Sequence, residues 1–146
     1  MLRRALLLKV VSWLVLSPAY AVAQQPQLHC RPEVREAMNR AWMVAEDGHA
    51  TFEAMFLVRA DGSIDFRGTT REYLTMHVGS VPEGTIALFH THPTQGVAEL
   101  SAADRFVADH YGLVIYAITN RGLYQYSHPR GAKMIRPDME WAKACQ

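Results

Sequence analysis

Cysteine is scarce in this sequence, with only Cys30 and Cys145 among 146 residues, and the two form no Cys-x-x-Cys pattern. That spacing argues against a metal site built on thiolates. An apolar run long enough to cross a bilayer is missing from the amino terminus, where Val10 to Leu16 falls well short of the roughly 20 residues a hydrocarbon core demands. Basic clusters are missing as well. Beyond Ala23 no group of Lys or Arg forms a basic face, so nucleic acid is not an expected partner. Internal repeats and low-complexity stretches are absent, which leaves an ordinary globular chain.

What the amino terminus does hold is Arg3, Arg4 and Lys9, then the short apolar run, then Ala21-Val22-Ala23 before Gln24. This is the pattern of a secretory signal with a small-residue cleavage site. Cleavage after Ala23 is expected to leave residues 24–146 as one exported domain, periplasmic or extracellular, with no membrane attachment. Loss of the three cations takes the formal charge from +1 to −2. In an oxidising compartment an even pair of cysteines is expected to be bridged, so Cys30 and Cys145 should tie the two ends of the mature chain together.

The periodicity beyond the signal predicts a helix from Glu33 to about Glu46, with Pro32 at its start and Val34, Ala37, Met38, Ala41 and Trp42 on its apolar face. Ala50 to Arg59 reads as a strand that turns at Asp61-Gly62 into Ser63 to Phe66. Arg71 to Val78 is a weaker strand candidate, ended by Pro82-Glu83-Gly84. Thr85 to Phe89 is an apolar strand running into His90. Pro93 to Leu100 reads as a loop, Ser101 to Tyr111 as a helix, Leu113 to Thr119 as a buried strand and Leu123 to Tyr126 as its hairpin partner. The order implies the α+β class, with a mixed, mostly antiparallel sheet flanked by helices.

His90 and His92 stand one residue apart at the end of a strand, so both imidazoles should project from the same face. Asp104, twelve residues beyond His92, falls in the first turn of the next helix. Two nitrogens and a carboxylate around one ion leave a fourth position for water, the open arrangement of catalytic zinc. Ser101-Ala102-Ala103-Asp104 is in its own right a helix cap with an acid at the third position, so it carries no metal signal alone. The conjunction of strand, His-Thr-His-Pro, loop and Ser-x-x-Asp helix is what points to a metal centre.

His90-Thr91-His92-Pro93 followed by Ser101-Ala102-Ala103-Asp104 resembles the JAMM signature of the JAB/MPN metallopeptidases. The resemblance implies a JAB/MPN-like fold with cytidine-deaminase-like layering, and one zinc ion per chain on His90, His92 and Asp104. It further implies a catalytic glutamate on an upstream strand, which Glu53 matches, and an oxyanion donor at Ser101. The activity implied is hydrolysis of a peptide or isopeptide bond in a peptide or protein-conjugate substrate. The loop before Ser101 is one residue longer than is usual in that family. Glu46, Glu72 and Glu83 are rival positions for the base, each at a helix end, on the weak strand or in a turn.

Two alternatives stand beside this one. His-x-His also opens the metal sites of phosphoesterase and amidohydrolase barrels, but only 54 residues follow His92, too few for a barrel of about 250 residues. The other is a non-catalytic MPN-like binding or scaffold module in the periplasm or outside the cell. The remaining histidines, His29, His49, His110 and His128, read as loop or helix-end residues, and the place of His77 is open. Oligomeric state is not legible in the sequence.

Overall fold

The computed structural model describes residues 27–75 and 77–145, so the expected signal segment lies outside the described residues. The chain forms α1 (Pro32–Val44), β1 (Met55–Arg59), β2 (Ile64–Gly68), β3 (Thr85–Thr91), α2 (Ala102–Tyr111), β4 (Val114–Thr119), β5 (Gly122–Ser127) and β6 (Gly131–Pro137). Short 3-10 turns lie at Leu28–Cys30, Glu46–Gly48 and Asp138–Ala142. The strands make one six-stranded mixed sheet in the order β2-β1-β3-β4-β5-β6. Only the β3–β4 pair is parallel. The α+β class expected from the element order is thus what the chain adopts.

Strand alternation sorts the core into two faces. Phe56 and Val58, Ala87 and Phe89, and Tyr116 and Ile118 point to one side, where Val34, Ala37, Met38, Ala41 and Trp42 of α1 cover them. Met55, Leu57, Leu88, Ile115 and Ala117 point to the other, against Leu100, Ala108 and Leu113 around α2. On the α1 side Phe56, Phe89 and Tyr116 stack across three strands at centroid separations of 4.8 and 4.1 Å.

Because β3 and β4 run parallel, the chain must cross from one end of the sheet to the other between them, and α2 makes that crossing. The carboxyl end of β3 therefore leads through a short loop into the amino end of α2. This topology sets the candidate site.

Three local features differ from the expectations. β1 begins at Met55 rather than Ala50, because the amides that precede it bond elsewhere: Ala50 N–H to the Ala45 carbonyl and Ala54 N–H to the Thr91 hydroxyl. No described residue of Arg71 to Val78 is in a strand. Arg71 and Leu74 have φ of 57° and 48°, which extended backbone cannot accommodate. The Arg67 guanidinium, at the outer strand of the sheet, instead binds the carbonyls of Val78 and Ser80. β6 was not anticipated. It is an edge strand with Ala132, Lys133 and Met134 exposed, so it lacks the apolar alternation that marks a buried one.

The ends of the described chain are held twice. Cys30 and Cys145 form a disulfide across 115 residues of sequence, as expected, with Cα atoms 5.5 Å apart. Trp141 packs edge-on against Trp42 at 5.6 Å and donates its indole N–H to the Thr119 carbonyl. Replacing both cysteines by serine is expected to lower stability by about 2–4 kcal/mol, through the larger conformational freedom of the unfolded chain. Urea unfolding of the two proteins at one pH checks this. An unchanged midpoint would show that the Trp141 anchor suffices.

Candidate metal centre

The site is built where β3 ends. Met55 pairs with His90 across the β1–β3 ladder, and Ala117 flanks His90 on the β4 side, so His90 is buried at 3 % exposure between two strands. Its side chain points to the α2 face, as Leu88 does two residues earlier. His92 lies just past the strand, and its amide is still bound to the Ile118 carbonyl at 3.0 Å. The two Nε2 atoms approach to 2.8 Å.

Asp104 completes the group from the first turn of α2. Its Oδ1 is 3.2 Å from His90 Nε2 and its Oδ2 is 3.5 Å from His92 Nε2. In a tetrahedral ion with metal–ligand bonds of about 2.0–2.2 Å, neighbouring donor atoms sit roughly 3.3 Å apart. The three donor separations, 2.8, 3.2 and 3.5 Å, bracket that spacing, and borderline imidazole nitrogen with one carboxylate oxygen suits a divalent cation. His90, His92 and Asp104 can therefore hold a metal ion with a coordination position to spare.

Neighbouring groups fix the donors. His92 Nδ1 lies 2.7 Å from the Val97 carbonyl, so Nδ1 carries the hydrogen and the Nε2 lone pair is turned into the site. The loop that supplies Val97 is pinned in turn by Thr94 N–H, bonded to the Gly48 carbonyl at 2.7 Å. Gly48 has φ +77° and a Cβ there would meet the Trp42 ring at 2.3 Å, so only glycine fits between α1 and the loop. Asp104 is fixed by the helix cap: its Oδ2 accepts from Ser101 N–H and Ser101 Oγ–H, both at 2.7 Å, and its own N–H donates to Ser101 Oγ. The capping motif and the ligand set are thus one structure.

Charge is distributed accordingly. Burial by itself would lower the His90 pKa, but the Asp104 carboxylate, its hydrogen bond and the nearby Glu53 outweigh it and hold the pKa above the ordinary 6.5. Burial likewise opposes the ionised Asp104. The positive His90, its hydrogen bond and the hydrogen bond from Ser101 prevail and keep the carboxyl far below the usual carboxylate range.

Glu53 lies two residues before β1 and lines a cleft of about 110 Å³ together with His90, Ser101 and Asp104. Its rivals stand elsewhere: Glu72 pairs with the exposed His77 at 2.9 Å, while Glu46 and Glu83 are exposed and do not line the cleft. His77 itself is solvent-exposed and outside the group. His29, Cys30 and Cys145 also cluster, but both sulfurs are in the disulfide and cannot act as thiolate ligands.

Sequence reasoning missed Thr91. It projects to the face opposite the histidines and is fully buried, where its hydroxyl accepts from Ala54 N–H at 2.9 Å while its own N–H donates to the Ala54 carbonyl at 2.9 Å. These two bonds fasten the residue next to Glu53 to the residue between the histidines. A threonine amid a buried apolar strand was the available signal, since a buried hydroxyl needs a partner. The role of Val97, a backbone carbonyl in a loop, left none.

Comparison with protein-family models, with curated proteins and with solved structures returns no match for this chain.

Two outcomes are expected of the site. Thr91→Val leaves the Ala54 N–H buried without its side-chain partner, which should cost about 1–3 kcal/mol in urea unfolding; a variant as stable as the parent would show that the bond positions nothing. Metal binding should displace the proton that His90 holds between His92 and Asp104. Calorimetry in buffers of different ionisation enthalpy should show release of more than about half a proton at pH 6.5, because the His90 pKa lies above that value, and progressively less as the pH rises through it. Release that does not fall with rising pH would contradict the assignment.

Proposed function

We propose that the chain is an exported zinc hydrolase of the JAB/MPN type that cleaves a peptide or isopeptide bond. The observation that carries this reading is the convergence of His90, His92 and Asp104 at the end of β3 with Glu53 in the same cleft. Three protein ligands, two imidazoles and a carboxylate, match a catalytic zinc site more closely than a closed structural one. The helix-supported crossover from β3 to β4 agrees with the JAB/MPN-like layering that the motif implies. Export is supported by the Cys30–Cys145 disulfide, which belongs to an oxidising compartment, and by the signal-like amino terminus.

Zinc on these ligands would supply a water of pKa about 7 and polarise the substrate carbonyl. The protein's own groups would do the rest. Glu53, the only glutamate among the described residues that line the cleft, would accept the proton of the attacking water and return it to the leaving amine. Asp104 and the Val97-bound His92 would keep their donor atoms aimed without reorganisation. Ser101 would serve as oxyanion donor only by turning its hydroxyl from Asp104 Oδ2, which the Ser101 amide continues to bind. Conjugates of ubiquitin type belong to the cytosol, so an exported hydrolase would act on secreted proteins, cell-envelope peptides or small conjugates.

Ligand and base differ in what their loss removes. His92→Ala should abolish stoichiometric zinc in elemental analysis, because two remaining protein ligands hold the ion poorly. Glu53→Gln should keep zinc and fold yet lower turnover of a peptide substrate by about 10²–10⁴-fold. Full activity of Glu53→Gln would show the base misassigned. Wild-type protein that takes up no zinc would overturn the hydrolase reading in favour of a binding module.

A further inference from the structure

We propose that the cleft beside the ligands is an apolar side-chain subsite, so that the scissile bond is flanked by an aliphatic residue such as leucine; the word scissile rests on the hydrolase reading, the subsite does not. One end of the cleft is polar, with Glu53, His90 and Asp104. Its floor is Met55, Leu88 and Ile115, each no more than 2 % exposed; Leu74, Val78, Ala103 and Val107 make most of the remaining wall, with Thr75 and Ser101 as its polar members. Among the described residues no lysine or arginine lines it, so an acidic side chain would find no counter-charge from them. The whole cleft, donor end included, is about 110 Å³, so its apolar part has room for no more than one small aliphatic side chain.

Leu74 is the telling residue. It is a large aliphatic side chain left 45 % exposed, with its backbone in the left-handed region at φ 48°. Local folding favours neither feature. Its N–H is bound to the Thr51 carbonyl at 2.7 Å, which fastens it beside Glu53 at the rim of the metal cleft. Val78 is held by Arg67, whose Nη1 donates to the Val78 carbonyl at 3.2 Å and whose Nη2 donates to Ser80 at 3.0 Å. Asp65 holds the Arg67 guanidinium through two hydrogen bonds of 2.9 and 2.8 Å. Arg67 is accordingly a positioning residue for the apolar wall, and Leu74 with Val107 supplies contact.

Binding of metal-chelating probes tests the subsite apart from turnover. On zinc-loaded mature protein, N-acetyl-leucine hydroxamate should bind roughly tenfold or more tightly than N-acetyl-glycine hydroxamate, the usual return for burying an isobutyl group. The aspartate analogue should gain nothing. Leu74→Ser and Val107→Ser should each shrink the ratio of leucine to glycine hydroxamate affinity. Equal affinities for leucine and glycine, or variants that keep the preference, would overturn the proposal. In metal-free protein N-acetyl-leucinamide should shift the methyl resonances of Leu74, Val78 and Val107, and unshifted methyls would overturn it independently of zinc. A protein that shows the leucine preference but hydrolyses no amide would retain the subsite and lose the hydrolase reading.

Discussion

The parallel pairing of β3 with β4 is the constraint on which the site depends. Parallel neighbours require a crossover, and α2 is that crossover, so its amino end must fall beside the carboxyl end of β3. His90 and His92 occupy the strand end; Asp104 occupies the first helical turn. Their meeting follows from chain connectivity, and the twelve-residue spacing between His92 and Asp104 is the length of the loop plus that turn. The parallel pairing then carries α2 back along the sheet, over the face to which His90 points.

Placing three polar side chains there is energetically unfavourable unless they satisfy one another. The structure meets this by giving each donor a second bond. Asp104 takes its hydrogen bonds from the helix cap, His92 gives a proton to Val97, and Thr91 turns its hydroxyl to the opposite face and closes on Ala54. His90 is the exception, since its buried Nδ1 lacks a hydrogen-bond partner. Burial opposes its charged form, and the Asp104 carboxylate with the nearby Glu53 favours it.

Much of this was legible in the sequence, and for physical reasons. The two helices, the two hairpins and the buried strands around His90 and Tyr116 follow from periodicity, because their faces are strongly segregated. The grouping of His90, His92 and Asp104 was legible because a His-x-His pair and a capping box are both local patterns. Glu53 needed the motif resemblance, since nothing around it differs from an ordinary strand approach. What could not be read was carried by backbone atoms or by distant contacts: the Val97 carbonyl, the Gly48–Trp42 contact and the Arg67 clasp on Val78 and Ser80. Arg71 to Val78 was misread as a strand because its composition suits one, whereas the positive φ at Arg71 and Leu74 depends on what that stretch is tied to.

The site therefore divides into two parts with different mechanical support. The donors and Glu53 sit on or next to β1, β3 and α2, whose cores fix them through ladder bonds and burial. The outer wall of the cleft rests on irregular chain, tied to the scaffold by Arg67 and by the Leu74–Thr51 bond. Regular elements hold positions to within small displacements, while a tethered segment can change its side chains at little cost to the core. Such a division gives the candidate metal donors a stiffer support than the outer wall of the cleft. The two supports are thereby separate in the fold, although they meet in one cleft.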